Sequence, residues 1–206
     1  MAQSSSEKMH NKNKLSWILV IMGILLMLYP LFTRMYAEYH QAKLKTSLEE
    51  AQNPVMEQPE ENIPETEEVR EIPVKHMPDG AFMTIEIPEL ELSAVVLEGT
   101  DLPELAKGPG WYRESVLPGE GNTAIAGHRT MHGAWFRHLD KLSEGDEIIV
   151  GYDLRGYTYR VEEVFVVAKN DWSVIDDCGY PVLTLTTCHP VGSASQRLVV
   201  RAAMEE

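Results

Sequence analysis

Basic residues are scarce in this chain. Eighteen Lys and Arg face thirty-two Asp and Glu, a formal net charge of −14. Nucleic acid requires clustered Lys and Arg against its phosphates, so that class of partner is excluded. The imbalance is also local. Residues 49–80 hold ten acidic and two basic side chains, which accounts for −8 of the −14. The rest is only mildly acidic, and net charge says little about its ligand. Cysteine is equally sparse: Cys178 and Cys188 are the only two, so one disulfide is the most the chain could form. Internal repeats and a regular strand–helix alternation are both missing, which argues against solenoids and parallel α/β folds.

What is present begins with one long apolar run. Residues 15–33 carry no charge, and nineteen helical residues at about 1.5 Å each span roughly 28 Å, enough for the hydrocarbon core of a bilayer. Pro30 lies near its far end, where an interruption costs least. Lys8, Lys12 and Lys14 precede the run, so the positive-inside tendency puts residues 1–14 in the cytoplasm and the chain after Arg34 outside. A cleaved signal peptide is the competing reading. The run is longer than a usual h-region, and the nearest small-residue site, Ala37, has Arg34 and Met35 before it. A retained anchor over 15–33 is the expectation.

Residues 34–80 read as a helical extension followed by a spacer. Good helix formers fill 35–51, continuing the membrane helix outward. From 52 to 78, five prolines alternate with seven glutamates, a composition that favours an extended, solvated tether. At about 3 Å per residue it could hold a domain tens of ångströms from the membrane.

From residue 81 the pattern turns to period-2, β-branched segments. Strands are expected over 82–87, 93–97, 123–126, 147–152, 157–168, 182–187 and 197–202, with short helices over 102–107 and 134–142. This gives a mainly β fold over 81–206: a closed antiparallel barrel of about eight strands, with short helices.

Three side chains carry chemistry. Cys188 ends the run Leu183-Thr184-Leu185-Thr186-Thr187. A cysteine at a strand end is more often a small buried hydrophobe than a nucleophile. Pro190 then turns the chain away, leaving the thiol at a sheet rim, and an unpaired extracellular cysteine is costly to keep without a use. Pairing of Cys178 with Cys188 stays open and would be inhibitory. His128 closes the strand-like stretch 122–127, behind Gly127, whose missing side chain leaves room for a ligand backbone. His132 lies in the loop beyond, and His138 is placed on a short surface helix. His189 neighbours Cys188, so on extended backbone it faces the other way. The spacing of His128 and His132 would suit zinc on a helix, but Gly127 and Gly133 disfavour one, and no metal site is expected. Arg197 opens the last strand. A structural ion pair is one reading; an oxyanion or carbonyl clamp beside a thiolate is the other. Antiparallel pairing would bring it to the face of Cys188.

The string Thr184-Leu185-Thr186-Thr187-Cys188 resembles the TLxTC signature of sortases, the cysteine transpeptidases of Gram-positive cell surfaces. The matching histidine is His128 and the matching arginine Arg197, in family order. The run from Gly127 to Phe136 resembles the class E pattern GHRTxxGAxF, Thr186 to Ala194 resembles TTCHPxxSA, and Gly108 to Tyr112 resembles GPGHY. Class E is the nearer match, class D the next. The resemblance implies that Cys188 attacks a C-terminal LPxTG- or LAxTG-type sorting signal, forming a thioester. His128 would move the protons and Arg197 hold the oxyanion. A cell-wall precursor amine or a pilin lysine would resolve the thioester, and surface proteins bearing the signal would be the substrates. It also implies a specificity loop over 169–181, with Trp172, Val174 and Ile175 lining the peptide groove beside Ala126 and Thr187. No cofactor is implied. A catalytically silent, membrane-tethered barrel that binds surface peptides or scaffolds pili is the alternative from another class, and a hydrolytic cysteine peptidase differs only in whether water outcompetes the amine.

Overall fold

The computed structural model describes residues 3–52 and 81–205, with side chains placed over 17–49 and 83–205. The acidic, proline-rich stretch lies outside the described residues. Eight strands follow the first helix α1 (Gln3–Gln52): β1 (Ala81–Ile87), β2 (Leu92–Glu98), β3 (Gly110–Trp111), β4 (Asn122–Ala126), β5 (Glu147–Tyr152), β6 (Arg155–Ala168), β7 (Val182–His189) and β8 (Gln196–Met204). A single short helix, α2 (Leu102–Leu105), joins β2 to β3.

The strands close in the order β1-β2-β3-β4-β7-β8-β6-β5. The expected closed barrel is present, and two of its seams, β2–β3 and β4–β7, are parallel rather than antiparallel. The inward residues alternate along β1 (Met83, Ile85 and Ile87), β5 (Ile148 and Val150), β7 (Leu183 and Leu185) and β8 (Leu198, Val200 and Ala202). With Ile125, Tyr159 and Phe136 they form one buried core. Period-2 patterning finds these strands because each has one face in that core and one outside it.

The expected helix over 134–142 does not form. Two 3-10 turns, His132–Ala134 and Leu139–Lys141, stand in its place. His132, Gly133 and Ala134 all have positive φ (49°, 81° and 49°), a left-handed run that cannot start an α-helix. Phe136 and Leu139 still anchor this segment in the core.

The apolar run lies within α1, and the residues from Trp17 to Phe32 are almost all exposed. The helix is long and apolar enough to cross a membrane. It continues through Pro30 without a break. Beyond Arg34 it lies against the barrel. Ala37, Gln41, Leu44 and Leu48, spaced four, three and four apart, are all buried, and Leu44 and Leu48 pack on Val95 and Leu97 of β2. β3 is too short to cover the whole outer edge of β2, and Gln41 covers what is left. Its amide nitrogen donates to the carbonyls of Val95 (2.9 Å) and Lys107 (3.2 Å), and its amide oxygen accepts from the Val95 N–H (2.7 Å). A Cβ on Gly108 would overlap that amide, which explains the glycine.

Candidate active site

The parallel seam between β4 and β7 brings two distant segments together. Its register runs from Asn122 opposite Val182 to Ala126 opposite Thr186. His128 therefore leaves β4 two residues past the last pair, and Cys188 lies two residues past Thr186. Antiparallel pairing with β8 then sets Cys188 directly opposite Arg197. Strand alternation fixes the side. Leu183, Leu185, Leu198 and Val200 point into the core, so Cys188 and Arg197 both face outward. The expectation that antiparallel pairing unites them on one face holds in this register.

Cys188 is half-buried and free, and so is Cys178. No disulfide joins them. Arg197 does not form a structural ion pair among the described residues. Its Nη1 donates to the carbonyls of Ala194 (3.3 Å), just before β8, and Gln196 (3.1 Å), the first residue of β8. Those bonds fix the stem and leave other N–H groups of the guanidinium for a ligand. His128 is half-buried. Burial, and secondarily the neighbouring His132 imidazole, push its pKa below the ordinary value. The two rings stack loosely, with centroids 5.2 Å apart.

Gly127 has a different use from the one expected. A Cβ there would sit 2.6 Å from the Phe136 ring, so the bare backbone makes room for a core aromatic rather than for a ligand. Thr187 does not face the groove either. It is buried, and its hydroxyl donates to the Gly127 carbonyl at 2.7 Å, bracing the seam. Ala126 is buried at the end of β4 beside Thr186. On the 169–181 loop, Trp172 is 62% exposed and meets Tyr112 edge-on, with centroids 6.3 Å apart. Ile175 is half-buried and Val174 is buried beneath the loop, its carbonyl accepting from Asn122 at 3.0 Å.

Two residues near the thiol were quoted in the motif strings without a role. The Tyr112 hydroxyl bonds the Thr186 hydroxyl at 2.9 Å, on the same face of β7 as Cys188. Burial raises the Tyr112 pKa, while its hydrogen bond with Thr186 and then the Arg197 charge pull the other way. Arg129 is the other, a buried cation within reach of the Cys188 carbonyl. Their neighbours in sequence gave no sign of these contacts, which depend on the parallel seam.

A free thiol and a guanidinium without a carboxylate partner thus face outward from neighbouring strands, and the parallel seam delivers His128 to the same end of the barrel. The sortase domain family matches residues 85–205, and the chain belongs to the sortase family. Sortase D of Bacillus subtilis (strain 168) is 34% identical over 121 residues, covering 56% of this chain and 60% of that protein. Sortase SrtE1 of Streptomyces coelicolor is 31% identical over 146 residues, covering 63% of this chain and 42% of its own. The chain thus spans less than two thirds of these curated relatives. Among solved structures, a Clostridium perfringens sortase D5 transpeptidase superposes with a TM-score of 0.60 at 25% identity, over 84% of this chain and 99% of that one. The Streptomyces coelicolor sortase E1, solved with a tripeptide in its active site, superposes at 0.58 with 30% identity, over 61% and 88%. Relatives of both class D and class E therefore fit the chain.

Proposed function

We propose that this chain is a membrane-anchored cysteine transpeptidase acting on C-terminal sorting signals of LPxTG or LAxTG type. The observation that carries the reading is Cys188, free and half-exposed, opposite a carboxylate-free Arg197 and beside the strand that delivers His128. The Cys188 thiol passes its proton to His128 and attacks, as the thiolate, the carbonyl carbon of the signal's threonine. The bond to the following residue breaks as His128 hands a proton to the leaving amine, and a thioester remains. An incoming amine, from a cell-wall precursor or a pilin lysine, attacks the thioester. His128 takes its proton, and the thiolate leaves. Arg197 offers N–H donors to the oxyanion in both steps. Ala126, Trp172 and Ile175 line the peptide groove, with Tyr112 behind Trp172.

The apolar part of α1 serves as the anchor. Lys8, Lys12 and Lys14 support a cytoplasmic N-terminus with the barrel outside.

The test uses the full chain in detergent, LPxTG- and LAxTG-type peptides, and an amine nucleophile. Wild type should cleave one of them and form the amide product, while Cys188→Ala should form none. If wild type cleaves neither peptide, the silent peptide-binding barrel is the better reading; if Cys188→Ala cleaves as well as wild type, Cys188 is not the nucleophile and the proposal fails.

A further inference from the structure

The ladder joining β4 to β7 stops short of the groups it serves. Its last links are the Gly127 N–H to the Thr186 carbonyl, 3.1 Å, and the Thr187 hydroxyl to the Gly127 carbonyl, 2.7 Å. Past them, among the described residues, no backbone hydrogen bond joins the 128–138 loop to Cys188. The His128 carbonyl is taken instead by the Phe136 N–H within its own loop, at 3.1 Å. Yet His128 and Cys188 both lie beyond the last link.

The side chain of Arg129 crosses that gap. It leaves the backbone next to His128 and reaches the other strand. Nη1 donates to the Cys188 carbonyl (3.2 Å) and to His189 Nδ1 (3.0 Å), and Nη2 lies 3.0 Å from Asp140 Oδ1, farther along its own loop. A guanidinium has only donors, so His189 Nδ1 accepts and the ring proton sits on Nε2. This is no surface ion pair. The Arg129 side chain is 2% exposed against 50% for Asp140, and its Nε is buried with no partner. Burying a charge is costly unless its geometry is well met, and a pose chosen only for hydrogen bonding would not strand Nε. What this pose does is meet the carbonyl of the cysteine.

We infer that Arg129 is a positioning residue for the acyl-transfer site. It fastens the Cys188 carbonyl and the His189 ring to the loop that carries His128, and so sets the separation of thiol and imidazole. It touches neither the thiol nor the substrate groove. Its planar fork meets three acceptors at once, which a lysine ammonium cannot reproduce at the same positions. The inference rests on the roles proposed for Cys188 and His128.

The test compares the full chain in detergent with Arg129→Lys and Asp140→Asn. Two readouts are used: kcat and KM on a sorting-signal peptide, and amide hydrogen exchange resolved to segments. Misplacement of reacting groups by an ångström can cost on the order of 100-fold. Arg129→Lys should therefore lose kcat by roughly that factor with KM unchanged. Faster exchange should be confined to residues 127–141 and 182–189. Asp140→Asn, at a half-exposed carboxylate, should lose kcat in the same direction but less, by about 3-fold. An unchanged kcat, or a loss appearing only in KM, overturns the inference. Should Arg129→Lys fail to fold, Asp140→Asn decides by the same criteria. If wild type turns over no peptide, the proposed function fails on its own, and the exchange pattern still decides the brace: local deprotection of both segments supports it, and its absence overturns it.

Discussion

The surroundings of His128 disfavour its protonated form and lower its pKa. Burial is the larger cause and the His132 ring the smaller. His132→Gln should therefore raise the His128 pKa without bringing it to the ordinary imidazole value, because burial remains. Titration of the His128 ring by NMR checks this, and no upward movement would remove His132 as a cause. The same shift affects stability. Between the folded and unfolded pKa values the unfolded chain binds more protons. The contribution is complete above the ordinary imidazole pKa and is lost as pH falls through the lowered one. Arg197 makes a second prediction at this scale. Arg197→Lys should lose on the order of 100-fold or more in kcat, since a point charge cannot present a fork of donors to an oxyanion. Steady-state kinetics on a sorting peptide measure it, and activity within a few-fold of wild type would take Arg197 out of the mechanism. His128 and Arg197, the side chains proposed for catalysis, stand out in the sequence because motif strings surround them. Thr187, in the same strings, faces the seam instead of the groove. Strand alternation around an outward Cys188 decides that, and it becomes visible only once the inward set is known.

At the scale of elements, the outer part of α1 is integral to the barrel. Its buried stripe of Ala37, Gln41, Leu44 and Leu48 has the spacing of one helix face. That periodicity was present in the sequence but was masked by a strongly apolar run before it and an acidic one after it. Leu44→Ala should destabilise the folded chain by about 2–3 kcal/mol through lost packing on Val95 and Leu97. Gln41→Ala should cost about 1–3 kcal/mol by leaving the Val95 N–H and carbonyl without partners. Denaturant melts of the full chain in detergent measure both, and unchanged midpoints would show that α1 does not hold the edge of β2. The β5–β6 hairpin gives a prediction of opposite sign. Asp153 and Leu154 form its two-residue turn, with φ of 49° and 61°, the backbone that favours glycine. Leu154 is also 85% exposed. Leu154→Gly should stabilise by about 1 kcal/mol, and a lower melting point would contradict that account. The strands themselves were the most readable elements, because each alternates between core and outside. The two-residue β3 carries too little pattern to find, and the 134–142 segment looked helical because propensity does not report three consecutive left-handed residues.

At the scale of the molecule, the pieces meet in one arrangement. A helix long and apolar enough for a bilayer continues without interruption onto the barrel wall, so the same helix braces the barrel along residues 37–48. Barrel closure was within reach of the sequence; the parallel β4–β7 seam was not, since nothing local marks which distant strand becomes a neighbour. That seam brings together the strand ends leading to His128 and Cys188, sixty residues apart in sequence, with Arg197 opposite the thiol. The central claim is that Cys188 forms a thioester with a sorting signal, and intact-protein mass spectrometry tests it most directly. The full chain, mixed with a sorting-signal peptide and no amine, should gain the mass of the peptide up to and including its threonine. The adduct should be released by hydroxylamine and be missing in Cys188→Ala. A peptide-cleaving wild type with no such adduct, or an adduct that persists in Cys188→Ala, would contradict the account.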